Sequence, residues 1–122
     1  MSAARFKGLL VMCVDVAATA AIYEEVLGFE RREEADGDVS MTVGVDGAPG
    51  ATVEIYLHPA KDAQPTRLGT YVVDDVDATV QILDEAGCTV TSPPDDTPWG
   101  SREASVRDQN GHEFTFTAPT RG

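Results

Sequence analysis

The chain has 122 residues, 42% of them apolar, which fits one domain with a modest core and argues against wholesale disorder. Its 21 acidic and 9 basic residues give a net charge of −12, which repels phosphate backbones and anionic membranes, attracts cationic small molecules and favours solubility. No apolar run is long enough to span a bilayer and the opening "MSAARFKG" has no signal-peptide pattern, so the expected compartment is the cytoplasm.

In chain order, the first strand-like run is "RFKGLLVMCV". It leads into "VDVAATAAIYEEVLG" (residues 14–28), which reads as a helix. Asp15 suits the N-cap, where a carboxylate accepts orphan backbone N–H groups and complements the helix dipole. Val16, Ala20, Tyr23 and Leu27 fall on one face, and Gly28 follows the last periodic residue. Strands are then expected in "FERREEA", "DVSMTVGV" and "ATVEIYLHP", with a turn at Asp46-Gly47. The "DAQP" stretch at residues 62–65 is the expected joint. Beyond it, "RLGTYVV" leads into a second helix, "DDVDATVQILDEAG" (residues 74–87), with Asp75 near its N-cap, Val76, Val80 and Leu83 on one face and Gly87 at its end. "CTVTSP", "REASVRD" and "HEFTFTA" follow as strands, with a turn at Asn110-Gly111. A shift of sixty residues superposes Asp15 on Asp75, Val16 on Val76, Ala18 on Ala78, Thr19 on Thr79, Ile22 on Ile82 and Glu25 on Glu85. Such self-similarity indicates two copies of one supersecondary unit. The expectation is an α+β domain of two βαβββ modules, spanning roughly residues 5–60 and 66–119 of a single domain. Cys13 and Cys88 lack CxxC spacing and sit in apolar runs, which points to buried free thiols rather than a disulfide or a zinc site.

Alternation along the strands separates two faces. Val39, Met41, Val43 and Val45 oppose Ser40, Thr42 and Gly44; Val53, Ile55 and Leu57 oppose Thr52, Glu54, Tyr56 and His58; Phe114 and Phe116 oppose Glu113, Thr115 and Thr117. The apolar face meets a helix. The second face is either solvated or curled into a cleft shared by the modules. On the strands that lead into the helices, this second face carries Leu10, Met12, Leu68 and Val72, and a mixed apolar and polar lining suits a small organic ligand.

"VDVAATAAIYEEVLGFE", "LGTYVVDDVDATVQILDEAG" and "PWGSREASVRDQNGHEFTF" together resemble the vicinal oxygen chelate superfamily, which includes glyoxalase I, ring-cleaving dioxygenases, and fosfomycin- and bleomycin-resistance proteins. The resemblance covers nearly the whole chain. It implies two βαβββ modules forming a cup-shaped mixed sheet with helices on the outer face, often in a homodimer. It also implies four cleft-facing positions that bind a divalent metal in metal-dependent members through histidine and glutamate. Where histidine is expected stand Gly8 and Leu68, and where the last glutamate is expected stands Thr115; Glu54 alone matches. One carboxylate does not make a catalytic metal site. The resemblance therefore leans toward metal-free drug-binding resistance proteins, with no cofactor and no catalytic residue assigned.

On that reading, Trp99 and Tyr56 stack on a planar ligand, and Leu10, Met12 and Leu68 supply apolar contact. Glu54 and Glu113 attract a cationic group, while Thr42, Thr70, Thr115 and Thr117 exchange hydrogen bonds. Each has a plainer alternative: Trp99 packs a loop on the sheet, Glu54 pairs with an arginine such as Arg67 or Arg102, and His58 is a solvated strand-end residue. His112 and Glu113 are adjacent on a strand and point to opposite faces, so they do not converge on one ion, and His112 reads as incidental. The expected function is binding and sequestration of an antibiotic or similar natural product, planar or cationic, by a homodimer that contacts neither nucleic acid nor membrane. One alternative is an enzyme of the same fold (a glyoxalase-like lyase, isomerase or dioxygenase) with an absent or atypical metal site using Glu54, His58 and Glu113. Another is a module whose cleft binds nothing specific.

Overall fold

The protein is described by a computed structural model covering residues 3–120. Its elements run β1 (Gly8–Cys13), α1 (Val16–Glu25), β2 (Glu30–Ala35), β3 (Asp38–Val45), β4 (Ala48–Pro59), β5 (Arg67–Val72), α2 (Val76–Glu85), β6 (Thr89–Asp96), β7 (Ser101–Arg107) and β8 (Glu113–Pro119). This is an α+β chain of two βαβββ modules, each with its own four-stranded sheet. The orders are β1-β4-β3-β2 and β5-β8-β7-β6. In each, the first strand runs parallel to the last and the other pairs are antiparallel, so both sheets are mixed. The chain divides into two compact units between Asp62 and Ala63, inside the expected joint.

The repeat extends to atomic detail at the helix starts. Asp15 Oδ1 accepts the Ala18 N–H at 3.0 Å, and Thr19 Oγ1 donates to the Asp15 carbonyl at 2.8 Å. Asp75, Ala78 and Thr79 repeat both bonds at the same distances. Asp75→Ala is expected to cost about 1 kcal/mol in urea denaturation, with Asp75→Asn nearly neutral, because only the alanine leaves first-turn N–H groups uncapped.

The two helices bury different kinds of stripe. α2 buries Val76, Val80 and Leu83, as its periodicity predicts. α1 buries Thr19, Ala20 and Tyr23, while Val16 and Leu27 are only half-buried. Thr19 can enter the core because the Asp15 carbonyl already satisfies its hydroxyl. In the first unit Tyr23 meets Phe29 edge-on at 5.6 Å, and Met41, Ile55 and Leu57 are likewise buried. In the second, Tyr71 packs 5.4 Å from Phe114 and 6.5 Å from Phe116. Burial pushes the Tyr71 phenol up to about 12, and its hydroxyl donates to the Leu68 carbonyl at 2.7 Å. Cys13 and Cys88 are buried free thiols, and burial pushes Cys88 up to about 11.

Three features depart from the sequence reading. A further two-residue turn, Asp36-Gly37, joins β2 to β3 with φ of 52° and 85°, the positive pair that a type I′ hairpin needs. β6 runs on through Pro93 and Pro94, which a sheet edge tolerates because no ladder N–H is required on its outer side. β5 carries a bulge: Arg67 pairs with Glu113 and Thr70 with Thr115, so two residues of β5 stand opposite Phe114. Gly69, at φ 97°, supplies the backbone conformation there. Among the described residues no helix is long and apolar enough to cross a membrane.

Candidate ligand-binding faces

In the first unit Val11, Cys13, Val39, Met41, Ile55 and Leu57, odd-numbered residues of β1, β3 and β4, are buried, and the even-numbered residues beside them alternate to the opposite face. Parallel pairing sets Gly8 beside Glu54, Leu10 beside Tyr56 and Met12 beside His58. Antiparallel pairing sets Thr42 beside Glu54 and Ser40 beside Tyr56. The predicted residues Leu10, Met12, Thr42, Glu54 and Tyr56 therefore share one face. Leu10 is 63% exposed, and Tyr56 and Glu54 are half-buried.

Glu54 organises this face. The Tyr56 hydroxyl donates to its Oε2, and this bond to a carboxylate holds the Tyr56 phenol above its ordinary range. Lys7 Nζ lies 3.8 Å from the same oxygen, a loose pair on an exposed lysine. The cation beside Glu54 is thus a lysine from the segment before β1, and neither Arg67 nor Arg102. Arg102 instead grips Asp77 of α2 through two bonds of 2.7 and 2.9 Å and reaches Asp96 at 3.0 Å. That bidentate hold keeps the Asp77 carboxyl below its ordinary range. His58 is engaged by Asp38, Nδ1 to Oδ1, at 2.7 Å.

In the second unit the face turned from α2 holds Thr70 and Val72 of β5, Glu113, Thr115 and Thr117 of β8, and Glu103 and Ser105 of β7. Thr115 exchanges a 3.0 Å hydrogen bond with Ser105, and Glu113 lies 3.5 Å from Arg107. Leu68 does not belong to this face. It is 4% exposed, and the bulge at Gly69 interrupts the alternation, turning Leu68 toward the Phe114 side and the core. The expectation that Leu68 contacts a ligand is corrected accordingly. Counting by twos from Thr70 and Val72 misplaced it.

Trp99, in the loop before β7, is 73% exposed, and its indole Nε1–H donates to Glu103 Oε2 of the sheet at 3.2 Å. Ser101 Oγ donates to the same oxygen at 2.7 Å and Thr117 Oγ1 at 3.4 Å. Stabilised by these donors, Ser101 foremost and then Trp99, the Glu103 carboxyl sits below its ordinary range. Sequence reasoning overlooked Glu103. The signal was present in "SREASVR", where Ser101, Glu103 and Ser105 alternate with Arg102, Ala104 and Val106.

His112 is also more than incidental. It is 1% exposed, and its Nδ1 accepts the Thr66 N–H at 3.1 Å. Its backbone N–H donates to Asp108 Oδ1 at 3.0 Å, and the Asp108 N–H returns to its carbonyl at 2.9 Å. The residue clasps the chain entering β5 to the β7–β8 hairpin.

The residues at the family's metal positions do not fit a metal. A side chain at Gly8 has no room: its Cβ would stand 2.1 Å from the Glu54 carbonyl oxygen. Leu68 has no donor and faces the core, Thr115 is committed to Ser105, and Glu54 serves Tyr56 and Lys7. Among the described residues, no three His, Cys, Asp or Glu side chains are grouped to hold an ion. Two concavities within the units lie elsewhere. One of about 340 Å³ lies between the start of α1 and the β2–β3 hairpin, bordered by Val16, Arg31 and Gly37. One of about 330 Å³ lies at the start of α2, bordered by Asp74, Asp77, Asp96 and Arg102. None of the predicted ligand-binding residues lines either.

Among solved structures, a glyoxalase/bleomycin resistance protein/dioxygenase family enzyme from Burkholderia phytofirmans PsJN is 18% identical, with a TM-score of 0.78 over 96% of this chain and 100% of its own. A superfamily member from Sphaerobacter thermophilus DSM 20745 is 24% identical, with a TM-score of 0.69 over 94% and 97%. The protein UcmS2 is 26% identical, with a TM-score of 0.67 over 95% and 98%. No curated protein matches the chain. Residues 5–116 match the family described as Glyoxalase/Bleomycin resistance protein/Dioxygenase superfamily, and the chain belongs to that superfamily.

Proposed function

We propose that the chain is a metal-independent small-molecule binding protein that sequesters an antibiotic or similar natural product, planar or cationic, on the sheet faces turned from its helices. It does so as a cytoplasmic homodimer. The observation that carries this reading is the pairing of exposed large apolar groups, Leu10 and Trp99, with polar faces centred on Glu54–Tyr56 and Glu103. A water-facing indole contributes little to the fold and much to a stacked ligand. The donor-poor metal positions favour binding over metal-assisted turnover.

The test is a thermal-shift and calorimetric screen against planar cationic natural products, run with and without chelator. A ligand that binds only the folded state raises the melting temperature. The expected result is a chelator-insensitive shift without product formation, with Trp99→Ala and Tyr56→Ala each weakening affinity about tenfold or more. Unchanged affinity in both variants removes the proposed faces. Turnover, or affinity lost to chelator, returns the protein to the enzymatic reading. Sedimentation as a monomer overturns the dimer.

A further inference from the structure

We propose that Trp99 and Glu103 form a cation-recognising subsite on the second unit, built to take the planar amidinium or guanidinium group of a ligand. The inference rests on the binding function proposed above and assigns the chemistry of one part of it.

Three donors from three places converge on a single oxygen. The Trp99 indole, the Ser101 hydroxyl and the Thr117 hydroxyl all point at Glu103 Oε2. Among the described residues, no hydrogen bond or ion pair reaches Oε1. The described residues thus fix the carboxylate through one oxygen and leave the other open to a ligand. The donors that fix it also favour its charged form, so it is ionised at neutral pH. Among the described residues, the two arginines of β7 are otherwise committed: Arg102 holds Asp77 and Asp96, and Arg107 lies beside Glu113. Asp95, opposite Glu103 in the strand register, adds negative charge.

Trp99 supplies the second element. Its polar N–H is occupied by Glu103, yet the residue stays 73% exposed, so what it offers to solvent is its ring surface. A cation beside a carboxylate and against an indole gains a charge-assisted hydrogen bond and a cation–π contact together. A planar cation suits this better than an ammonium, because it can stack on the ring while donating at its edge. The Nε1–Oε2 bond already fixes the indole, so less ordering entropy is lost on binding.

The chain has one tryptophan, so its indole N–H gives a single cross-peak in a ¹H–¹⁵N spectrum, reporting on Trp99 directly. The full chain is titrated with benzamidine, its neutral isostere benzamide and the anion benzoate. Benzamidine is expected to shift the indole peak to saturation, with the other two at least about tenfold weaker. Glu103→Gln keeps an acceptor for the three donors and removes the charge, so the peak should hold its position while the preference for benzamidine disappears. Equal responses to all three compounds, no response to any, or full preference retained in Glu103→Gln each overturn the subsite. The wild-type series decides alone if the variant fails to fold. Tight, chelator-insensitive capture of a natural product that is indifferent to Glu103→Gln upholds sequestration and sinks the subsite. A benzamidine-selective response at Trp99, with no tight ligand in the wider screen, does the reverse.

Discussion

Gly8→Ala is expected to destabilise the protein by about 1–3 kcal/mol, read as a lower urea midpoint with an unchanged slope. The added methyl would stand 2.1 Å from the Glu54 carbonyl oxygen and 2.8 Å from its carbon. Both are backbone atoms of the adjoining strand, so no side chain can swing aside to make room. The strands must part, and Gly8 is paired with Glu54 at the start of the β1–β4 ladder, where the Glu54 N–H donates to the Lys7 carbonyl at 3.0 Å. Gly44→Ala is the control. Its Cβ meets nothing within 4 Å and its φ is not positive, so a change within about 0.5 kcal/mol is expected. If Gly8→Ala proves as mild as Gly44→Ala, the close approach of β1 to β4 is wrong, and with it the steric part of the case against a metal ligand at that position.

The second large effect is expected at His112. Truncation to alanine empties a fully buried site and strips the Thr66 N–H of its acceptor, together about 2–4 kcal/mol. His112→Gln can offer Thr66 a carbonyl oxygen and should recover part of the loss. Hydrogen exchange at the Thr66 amide separates the two contributions: it should accelerate in His112→Ala and remain slower in His112→Gln. Equal stability in both variants would mean that the ring contributes volume alone. Because Nδ1 accepts from the backbone, the neutral ring is held in its Nε2–H form, a tautomer that ¹⁵N shifts can check.

Much of the fold was legible because short-range rules wrote it. The aspartate caps, the sixty-residue repeat and the period-two strands each depend on neighbours within a few positions, and all appear where the residues place them. Sheet partners follow from module symmetry once one β-α-β-β-β unit is recognised. What escaped depends on single backbone events or on long-range partners. The bulge at Gly69 breaks the count that had placed Leu68 with Thr70. His112 owes its role to Thr66, forty-six positions earlier in the chain, and no local pattern announces that bond. Glu103 was visible in the alternation of β7, but its importance comes from Trp99 and Thr117 converging on it. Arg102 drew notice as a cation, and only the packing of α2 on the sheet shows that two aspartates already claim it.

The extra residue in β5 bears on which substitutions could furnish an ion site on these faces. Where only the side chains fall short of an ion site, one substitution per position supplies the donors. Here a histidine introduced at position 68 would enter the core of the second unit, because the bulge has rotated that position off the face. A histidine introduced at position 8 would collide with the neighbouring strand. Placing donors at both positions therefore requires a deletion in one strand and a shift in another, changes that point substitution does not supply. The backbone thus limits these faces more tightly than the side chains do: substitution readily changes what they carry, while a donor side chain at position 8 or 68 is closed to single-residue steps.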